Sequence, residues 1–330
     1  MRPRTIGLVL AFGLFAALLA ADAQQMKNVP RIGVLSVGSP PSSPDWKQES
    51  FLVQELRNFG WIEGQNITIE YRWASARPSR LAALAAELVD LKVDVIVAPD
   101  TQALGAVKQA TTTIPIVMVV PVDPVAEGYV ASLARPGGNI TGVGSQVQEL
   151  STKLLELLKE AVPQVTQVAV LAHRAHPQIK QLLRETAGAA RALGMRLHVL
   201  DVRDAAEFEH ACETAAKEGF GALLILPGLL FSVHDRRLAA LTVQHRLPAI
   251  YTTRSFAEAG GLLAYGPKQA DYSRLAARYV DRILKGTRPA DLPVERLTAF
   301  ELVINLTTAE ALGLTISPTF LFRADEVIRP

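Results

Sequence analysis

Leu91-Lys-Val-Asp-Val-Ile-Val-Ala98, followed by Thr113-Ile-Pro-Ile-Val-Met-Val-Val120, returns in altered form as Phe220-Gly-Ala-Leu-Leu-Ile-Leu226 and Leu247-Pro-Ala-Ile-Tyr251. In each pair a mostly apolar run leads through a helical stretch to a second run introduced by proline. Such runs suit central parallel strands covered on both faces. Working outward, the first pair is preceded by 66–73, where Ile67, Ile69, Tyr71 and Trp73 alternate with polar neighbours, and by an apolar run at 31–36. The second pair is preceded by 197–202 and 167–172. The chain therefore states one structural unit twice. Strands alternating with helices imply right-handed crossovers and a mostly parallel sheet in each copy. The predicted fold class is α/β, with two similar doubly wound parallel-sheet lobes and a cleft between them.

Helices fill the intervals. Asp45 is read as the N-cap of a helix through Asn58, Pro78 starts a helix over 79–91, and another runs from Thr101 to about Thr112. Asp123-Pro124 is read as opening a helix to Leu133, after which Arg135-Pro-Gly-Gly-Asn139 turns the chain and 141–145 leads out of the first lobe. Second-lobe helices are predicted near 177–193, 205–218 and 232–245, and a strand at 261–265. An amphipathic helix over 271–284 closes at Gly286, 289–293 reads as a linker by composition, 300–305 as a last strand, and 308–312 as a short helix.

A length of 330 residues is room for about two domains. Apolar residues make up 49% and charged residues 20%, which excludes a disordered chain or a disulfide-stapled scaffold. Lys and Arg number 34 against 32 Asp and Glu, a balance without the basic footprint that nucleic-acid binding requires. The N-terminus has a different character. Arg2 and Arg4 precede an uncharged apolar run over 6–19, and Ala21-Asp22-Ala23 places small residues where a signal peptidase reads them. The expectation is a leader, 1–23, cleaved after Ala23, with no stable membrane insertion afterwards and no cysteine behind the cut to carry a lipid. A retained anchor is the competing reading. Cys212 is the single cysteine, so disulfides contribute nothing, and it is expected to pack as a small apolar group.

In open α/β sheets the useful crevice lies beyond the carboxyl ends of the strands. The duplication nominates turns in pairs: Ser36 and Ser39 opposite His173 and His176, Thr101 and Gln102 opposite Pro227 and Gly228, and Asp123 opposite Thr252 and Thr253. Thr101 at a helix start is read either as an anion site or as a plain N-cap. Asp123 is read as a partner for a ligand ammonium or as an ordinary helix opener. Ser36, Ser39 and Ser145 offer small hydroxyls, while Trp73 and Tyr265, near strand ends, offer rings for stacking or core packing. Catalytic sets are missing. His173-x-x-His176 has no Glu or Cys to complete a metal site. The chain has neither a G-x-S-x-G elbow nor a G-x-x-x-x-G-K-[ST] loop, and Cys212 alone cannot form a two-cysteine racemase pair. No cofactor and no metal are expected.

Several strings then carry a family likeness. Residues 31–36 with Gly38-Ser39-Pro40, and Gly64-Gln-Asn-Ile-Thr-Ile-Glu-Tyr-Arg-Trp73, are among them, as are Asp123-Pro124 and Ser132-Leu-Ala-Arg-Pro-Gly-Gly-Asn139. Ala259-Gly-Gly-Leu262 with Tyr265-Gly266, Ala290-Asp-Leu-Pro-Val294 and Phe300-Glu-Leu-Val-Ile-Asn305 complete the set. Together they resemble an ABC-transporter substrate-binding family with the type I periplasmic-binding fold, over about 30–327. The resemblance implies lobes of 30–146 with about 267–295, and 147–266 with about 296–330. It also implies three hinge crossings, capture of ligand by closure, and in some relatives aromatic amino acids as ligands. Two strings depart from the family pattern. Where relatives often carry Trp-Asn-Pro-x-Asn-Pro this chain has Ala172-His-Arg-Ala-His-Pro177, and a Leu-Pro-Asp pattern becomes Leu226-Pro227-Gly228.

The resulting expectation is a periplasmic, monomeric, non-enzymatic solute-binding protein. It would capture a small-molecule ligand, an amino acid or small carboxylate, and deliver it to an ABC permease. The alternatives are an exported two-lobed hydrolase or transferase, which needs a nucleophile–base pair or metal set, and a sensory domain, which needs an attached helix-turn-helix or membrane helix.

Overall fold

A computed structural model describes residues 29–40, 46, 50–120, 122–144, 148–176, 178–296 and 299–330. The first sheet contains β1 (Arg31–Ser36), β2 (Thr68–Trp73), β3 (Val95–Ala98), β4 (Ile116–Val120), β5 (Ile140–Gly144) and β11 (Glu295–Arg296), in the order β11-β5-β4-β3-β1-β2 and parallel throughout. The second contains β6 (Gln167–His173), β7 (Arg196–Val202), β8 (Ala222–Ile225), β9 (Ala249–Tyr251), β10 (Leu263–Pro267), β12 (Phe300–Asn305) and β13 (Glu326–Ile328). Its order is β13-β12-β10-β9-β8-β6-β7, with one antiparallel junction, β10 against β12. Stripped of the added edge strands, the orders β2-β1-β3-β4-β5 and β7-β6-β8-β9-β10 are the same. The duplication read in the sequence is a duplication of topology.

Both faces of each sheet are covered, which is why the central strands are apolar on both sides. In the first lobe α2 (Leu81–Asp90) and α3 (Thr101–Ala110) bury Leu84, Leu88, Leu104 and Val107 on one face. On the other face α1 (Phe51–Asn58) and α10 (Gln269–Leu284) bury Val53, Leu56, Tyr279 and Val280. The second lobe repeats the plan. There α4 (Gln148–Ala161) and α5 (Ile179–Ala192) take one face, and α6 (Phe208–Lys217), α8 (Asp235–Gln244) and α9 (Arg254–Glu258) the other, with the short α7 (Leu229–Ser232) between β8 and α8. Cys212 lies fully buried in the latter core, and burial pushes its thiol up to about 12. Short α11 (Leu306–Ala311) and α12 (Pro318–Phe322) close the second lobe.

The chain passes between the sheets three times: after β5, between β10 and α10, and between β11 and β12. Helix α10 follows a second-lobe strand yet is anchored to the first lobe. Trp61 donates to the Asp281 carboxylate at 2.9 Å, and the buried Thr141 hydroxyl donates to the Leu292 carbonyl at 2.6 Å.

The fifth strand of each lobe makes the same close approach to the fourth. Gly142 in β5 stands at φ +130°, where a Cβ would overlap the Met118 carbonyl oxygen, and a Cβ at Gly266 in β10 would overlap the carbonyl oxygen of Thr252. Only glycine fits either place.

Four sequence expectations change. The segment after Asp123-Pro124 makes turns rather than a helix to Leu133, because Gly128 at φ +69° leaves the helical path after one turn and Lys108 donates to its carbonyl at 2.8 Å. The 289–293 stretch is no free linker. Leu292 is fully buried, Val294 bonds back to Leu133, and the chain enters the edge strand β11. The strand at 300–305 is followed by another, β13. Helices α4, α7, α9 and α12 were not anticipated. Asp45 lies outside the described residues; Trp46 behind it is helical, Ser50 is not, and α1 begins at Phe51.

Candidate functional site

The two sets of carboxyl-end turns are built differently. In the first lobe the β3 turn is organised by Asp100, the N-cap of α3. Its carboxylate accepts from the Ala103 N–H at 2.7 Å, the Val37 N–H at 2.9 Å and the Ser36 hydroxyl at 3.1 Å, tying the end of β1 to the start of α3. Burial pushes this carboxyl above the ordinary aspartate range, against the pull of those hydrogen bonds. Thr101 is thus the first helical residue and not the cap. The first-turn N–H groups of Gln102 and Ala103 are already engaged by a carboxylate from the chain itself. The Gln102 side-chain oxygen is buried and has no hydrogen-bond partner. Ser36, Thr101 and Gln102 therefore cluster around one residue, while Ser39 is exposed beyond Gly38. Asp123 accepts from the Val125 and Ala126 N–H groups at 2.9 and 3.2 Å, holding the turn after β4. Ser145 lies outside the described residues.

In the second lobe Gly228 stands where Asp100 stands in the first, as the N-cap of α7 with no side chain to offer. A Cβ there would sit 3.7 Å from the His176 ring, so these two predicted positions are neighbours, with Pro227 half-buried beside them. The His176 Nδ1 accepts from the Gln178 N–H at 3.2 Å. Burial, reinforced by nearby His173, holds His176 below the ordinary histidine value. The Tyr251 hydroxyl donates to the Gly228 carbonyl at 3.2 Å and also bonds the Thr252 side chain, which links Thr252 to the same cluster. Thr253 bonds the buried Asp235 at 3.4 Å. Tyr265 is separate: it stacks on Phe300 with centroids 5.5 Å apart. Among the described residues no group of three or more His, Cys, Asp or Glu is placed to hold a metal.

The lobes meet through these turns. Gln178 donates to Glu127 at 3.1 Å, from the second lobe to the first, and Leu229 packs against the first lobe's core.

A cavity of about 360 Å³ opens at the carboxyl end of the first sheet, and of its lining residues the sequence reading names only Trp73 as a candidate ring. Val34, Val97 and Val119 form its floor, and Tyr272 and Ser273 from the first turn of α10 its side. Three rings complete it. Tyr71 and Trp73 are parallel neighbours on β2 with centroids 6.2 Å apart, and Trp46 stands edge-on at 4.6 Å to Tyr71 and 6.0 Å to Trp73. Burial raises the pKa of the Tyr71 hydroxyl, so it stays protonated. The legible signal was the alternation at 66–73, which puts Tyr71 and Trp73 on one face. Trp46, helical and just behind the Pro- and Ser-rich loop, and α10, about 200 residues away, gave no local hint of meeting them.

Two mostly parallel sheets of like order, three crossings between them, and turns that meet across the junction define the type I periplasmic-binding fold. The chain belongs to the ABC transporter substrate-binding protein family, whose profile matches residues 35–328. It is similar to the "Tyrosine-binding protein" of Clostridioides difficile strain R20291, with 26% identity over 297 residues, 89% of this chain and 83% of that one. Among solved structures it resembles a conserved domain protein from Vibrio cholerae O1 biovar El Tor, at 27% identity and a TM-score of 0.80, covering 91% of this chain and 100% of the other. A Streptococcus pneumoniae ABC domain in complex with L-Trp shares the fold at 23% identity and a TM-score of 0.78, over 91% and 99% of the respective chains.

Proposed function

We propose that the chain is an exported solute-binding protein that captures an amino acid or small carboxylate between its lobes and passes it to an ABC permease. The leader 1–23 is removed after Ala23, and the mature protein works in the periplasm as a monomer. N-terminal sequencing of the periplasmic form should begin at Gln24; a retained leader contradicts this part.

The observation that carries the reading is the pairing of turns across the junction: Asp100 and Asp123 in the first lobe, His176, Gly228 and Leu229 in the second, bridged by Gln178 and Glu127. A ligand held by both sets adds contacts that exist only when the lobes, 30–146 with about 267–295 and 147–266 with about 296–330, are together. It therefore shifts the population toward the closed form, which the permease would read. The relatives' ligands, tyrosine and L-Trp, favour an amino acid. Its polar end meets Ser36, Ser39, Thr101, Gln102, Asp123 and Ser145 on one side and His173, His176, Pro227, Gly228, Thr252 and Thr253 on the other, with Tyr265 at the rim. Asp123 is the partner for an ammonium. Thr101 is less suited to a carboxylate than its helix start implies, since Asp100 already occupies that end.

Thermal-shift screening of the mature protein against amino acids, small carboxylates and sugars tests the capture reading. The expected result is a stabilising amino acid recovered chemically unchanged, with Asp123→Ala lowering its affinity by about tenfold or more, as loss of a charge-assisted contact implies. Steady turnover of the added compound, or an Asp123→Ala variant with unaltered affinity, contradicts the capture reading or the polar assignment respectively.

A further inference from the structure

The histidine in the second-lobe turn has one ring nitrogen engaged and one left over. The Gln178 backbone N–H donates to the His176 Nδ1, so that nitrogen offers its lone pair and the neutral ring keeps its proton on Nε2. The Nε2–H makes no hydrogen bond among the described residues, and it is not one of the polar atoms sealed in the interior without a partner. A half-buried donor in this state is available to an acceptor from outside the chain. Its place is the junction of the lobes. A Cβ at Gly228 would sit 3.7 Å from the Cδ2 that adjoins this nitrogen, the next residue, Leu229, packs on the first lobe's core, and the Gln178 side chain reaches Glu127.

The carboxylates at this junction are divided unequally. In the first lobe Asp123 and Glu127 share one turn, closed by the Glu127 N–H donating to the Asp123 carbonyl at 3.1 Å. In the second lobe the nearby acids are committed to their own lobe: Asp201 pairs with Arg174, and Asp235 accepts from Ser255, Thr253 and the Arg236 N–H. Burial and then His173 act on the His176 ring, and no carboxylate among the described residues does. Gly228 caps its helix where Asp100 caps the matching one, so the carboxylate that the repeat would have set beside the ring is missing.

We infer that His176 holds the ligand's carboxylate through its Nε2–H, in the space that Gly228 leaves open, so that the ligand lies with its acidic end on the second lobe and any ammonium on the first. This rests on the capture reading and adds which lobe takes which end. A carboxylate leaving water needs donors to replace it, and a bond from N–H to an ionised oxygen is among the stronger ones. The first lobe is poorly suited to supply it. Its α3 helix start is engaged by Asp100, and Asp123 and Glu127 would repel a third carboxylate beside them. An aspartate at 228 would take the Nε2–H and repel the ligand as well, and glycine does neither.

The test uses the mature chain, thermal shift, and two probe mixtures: the common L-amino acids with propionate and succinate, and the same compounds as their amides at the carboxyl group. Affinity is read as the mixture concentration that gives half the full shift. The acids are expected to bind about tenfold or more better than the amides, and His176→Phe, a ring without the donor, should remove that advantage. His176→Gln, whose side-chain N–H can meet the same acceptor, should restore most of it. Gly228→Asp spares the histidine and should weaken the acids as His176→Phe does. Circular dichroism checks that each variant folds, and Gly228→Asp carries the test alone if His176→Phe does not. In the parent chain the acids should also raise the His176 titration midpoint followed by NMR, as a carboxylate beside an imidazole does, and the amides should not. Amides that bind as well as the acids, or acid binding unaltered by His176→Phe and Gly228→Asp, overturn the assignment and leave capture intact. Stabilisation by neither mixture overturns the capture reading itself, and the assignment with it.

Discussion

Asp100 in the first lobe and Gly228 in the second occupy the same turn of a repeated unit, after Ala98-Pro99 and Leu226-Pro227 respectively, yet they organise it in opposite ways. Asp100 ties its helix start to the neighbouring strand with three hydrogen bonds from Ala103, Val37 and Ser36. Gly228 offers no side chain and leaves the His176 ring beside it and Leu229 free to pack across the junction. The first lobe's turn is built for rigidity, and the second lobe's for contact with its partner. What the lobes share, such as the strand order and the glycine of the fifth strand, belongs to folding. What they do not share is where the proposal places the ligand.

If the shared glycines serve the fold alone, replacing either should destabilise the protein with little regard to lobe. Gly142→Ala and Gly266→Ala each place a methyl group into a carbonyl oxygen and are expected to cost about 3 kcal/mol or more in urea unfolding. A variant of either kind that unfolds at the parent's urea midpoint breaks the equivalence of the two sites.

The differing turn should show a smaller and one-sided effect. Asp100→Ala removes a helix cap and leaves the Val37 N–H without its acceptor, for an expected loss of about 1–2 kcal/mol. Gly228→Asp, which brings the first lobe's residue into the second, is sterically tolerable because its Cβ would meet Phe231 at 3.5 Å and His176 at 3.7 Å. Its stability should change by only a few tenths of a kcal/mol, the usual difference between glycine and aspartate at an N-cap. A Gly228→Asp variant destabilised as much as Asp100→Ala would mean that the second turn is not simply uncapped.

The smallest effect is in pH. His176 in the folded protein titrates below its ordinary 6.5 because of burial and then His173. As pH falls below 6.5 the unfolded chain takes up this proton before the folded one does, so folding loses stability there. Asp100 acts in the opposite sense. Its folded value is raised above the ordinary 3.8, so its contribution is present below that value and lost as pH rises through the raised one. His176→Gln should flatten the decline between about pH 7 and 5, and Gly228→Asp should raise the His176 titration midpoint followed by NMR, since a carboxylate beside an imidazole favours its charged form. An unmoved midpoint in the Gly228→Asp variant contradicts the placement of the two residues side by side.

Much of the fold was legible because it is written in local periodicity. The paired apolar runs with proline entries gave the sheets, and their repetition gave the two lobes. What failed was governed by single residues or distant contacts. Asp123-Pro124 has the composition of a helix start, but Gly128 takes up a left-handed conformation that ends the helical path after one turn. The 289–293 stretch looks like a linker until Leu292 finds a buried place beside Thr141, over 150 residues earlier. Some of the nominated residues are neighbours, Ser36 with Thr101 and Gln102 around Asp100, and His176 with Gly228, because the repeated strand order fixes which carboxyl ends lie side by side. Asp100 was passed over for its neighbour Thr101 because a capping residue is recognised by where its helix begins, and boundaries are the least certain part of a periodic pattern. The ring cavity was hidden for a different reason. Trp46 is helical, Tyr71 lies on a strand, and Tyr272 lies on a helix that follows the other lobe, so no local pattern joins them.

The central claim is that the repeat clasps a small molecule and leaves it unchanged. Small-angle X-ray scattering of the mature protein, with and without the amino acid found by thermal shift, tests it most directly. The account predicts a smaller radius of gyration on saturation, full recovery of the amino acid unmodified, and return to the ligand-free curve after dialysis. An unchanged scattering curve at saturating ligand, or a chemically altered ligand, would contradict it.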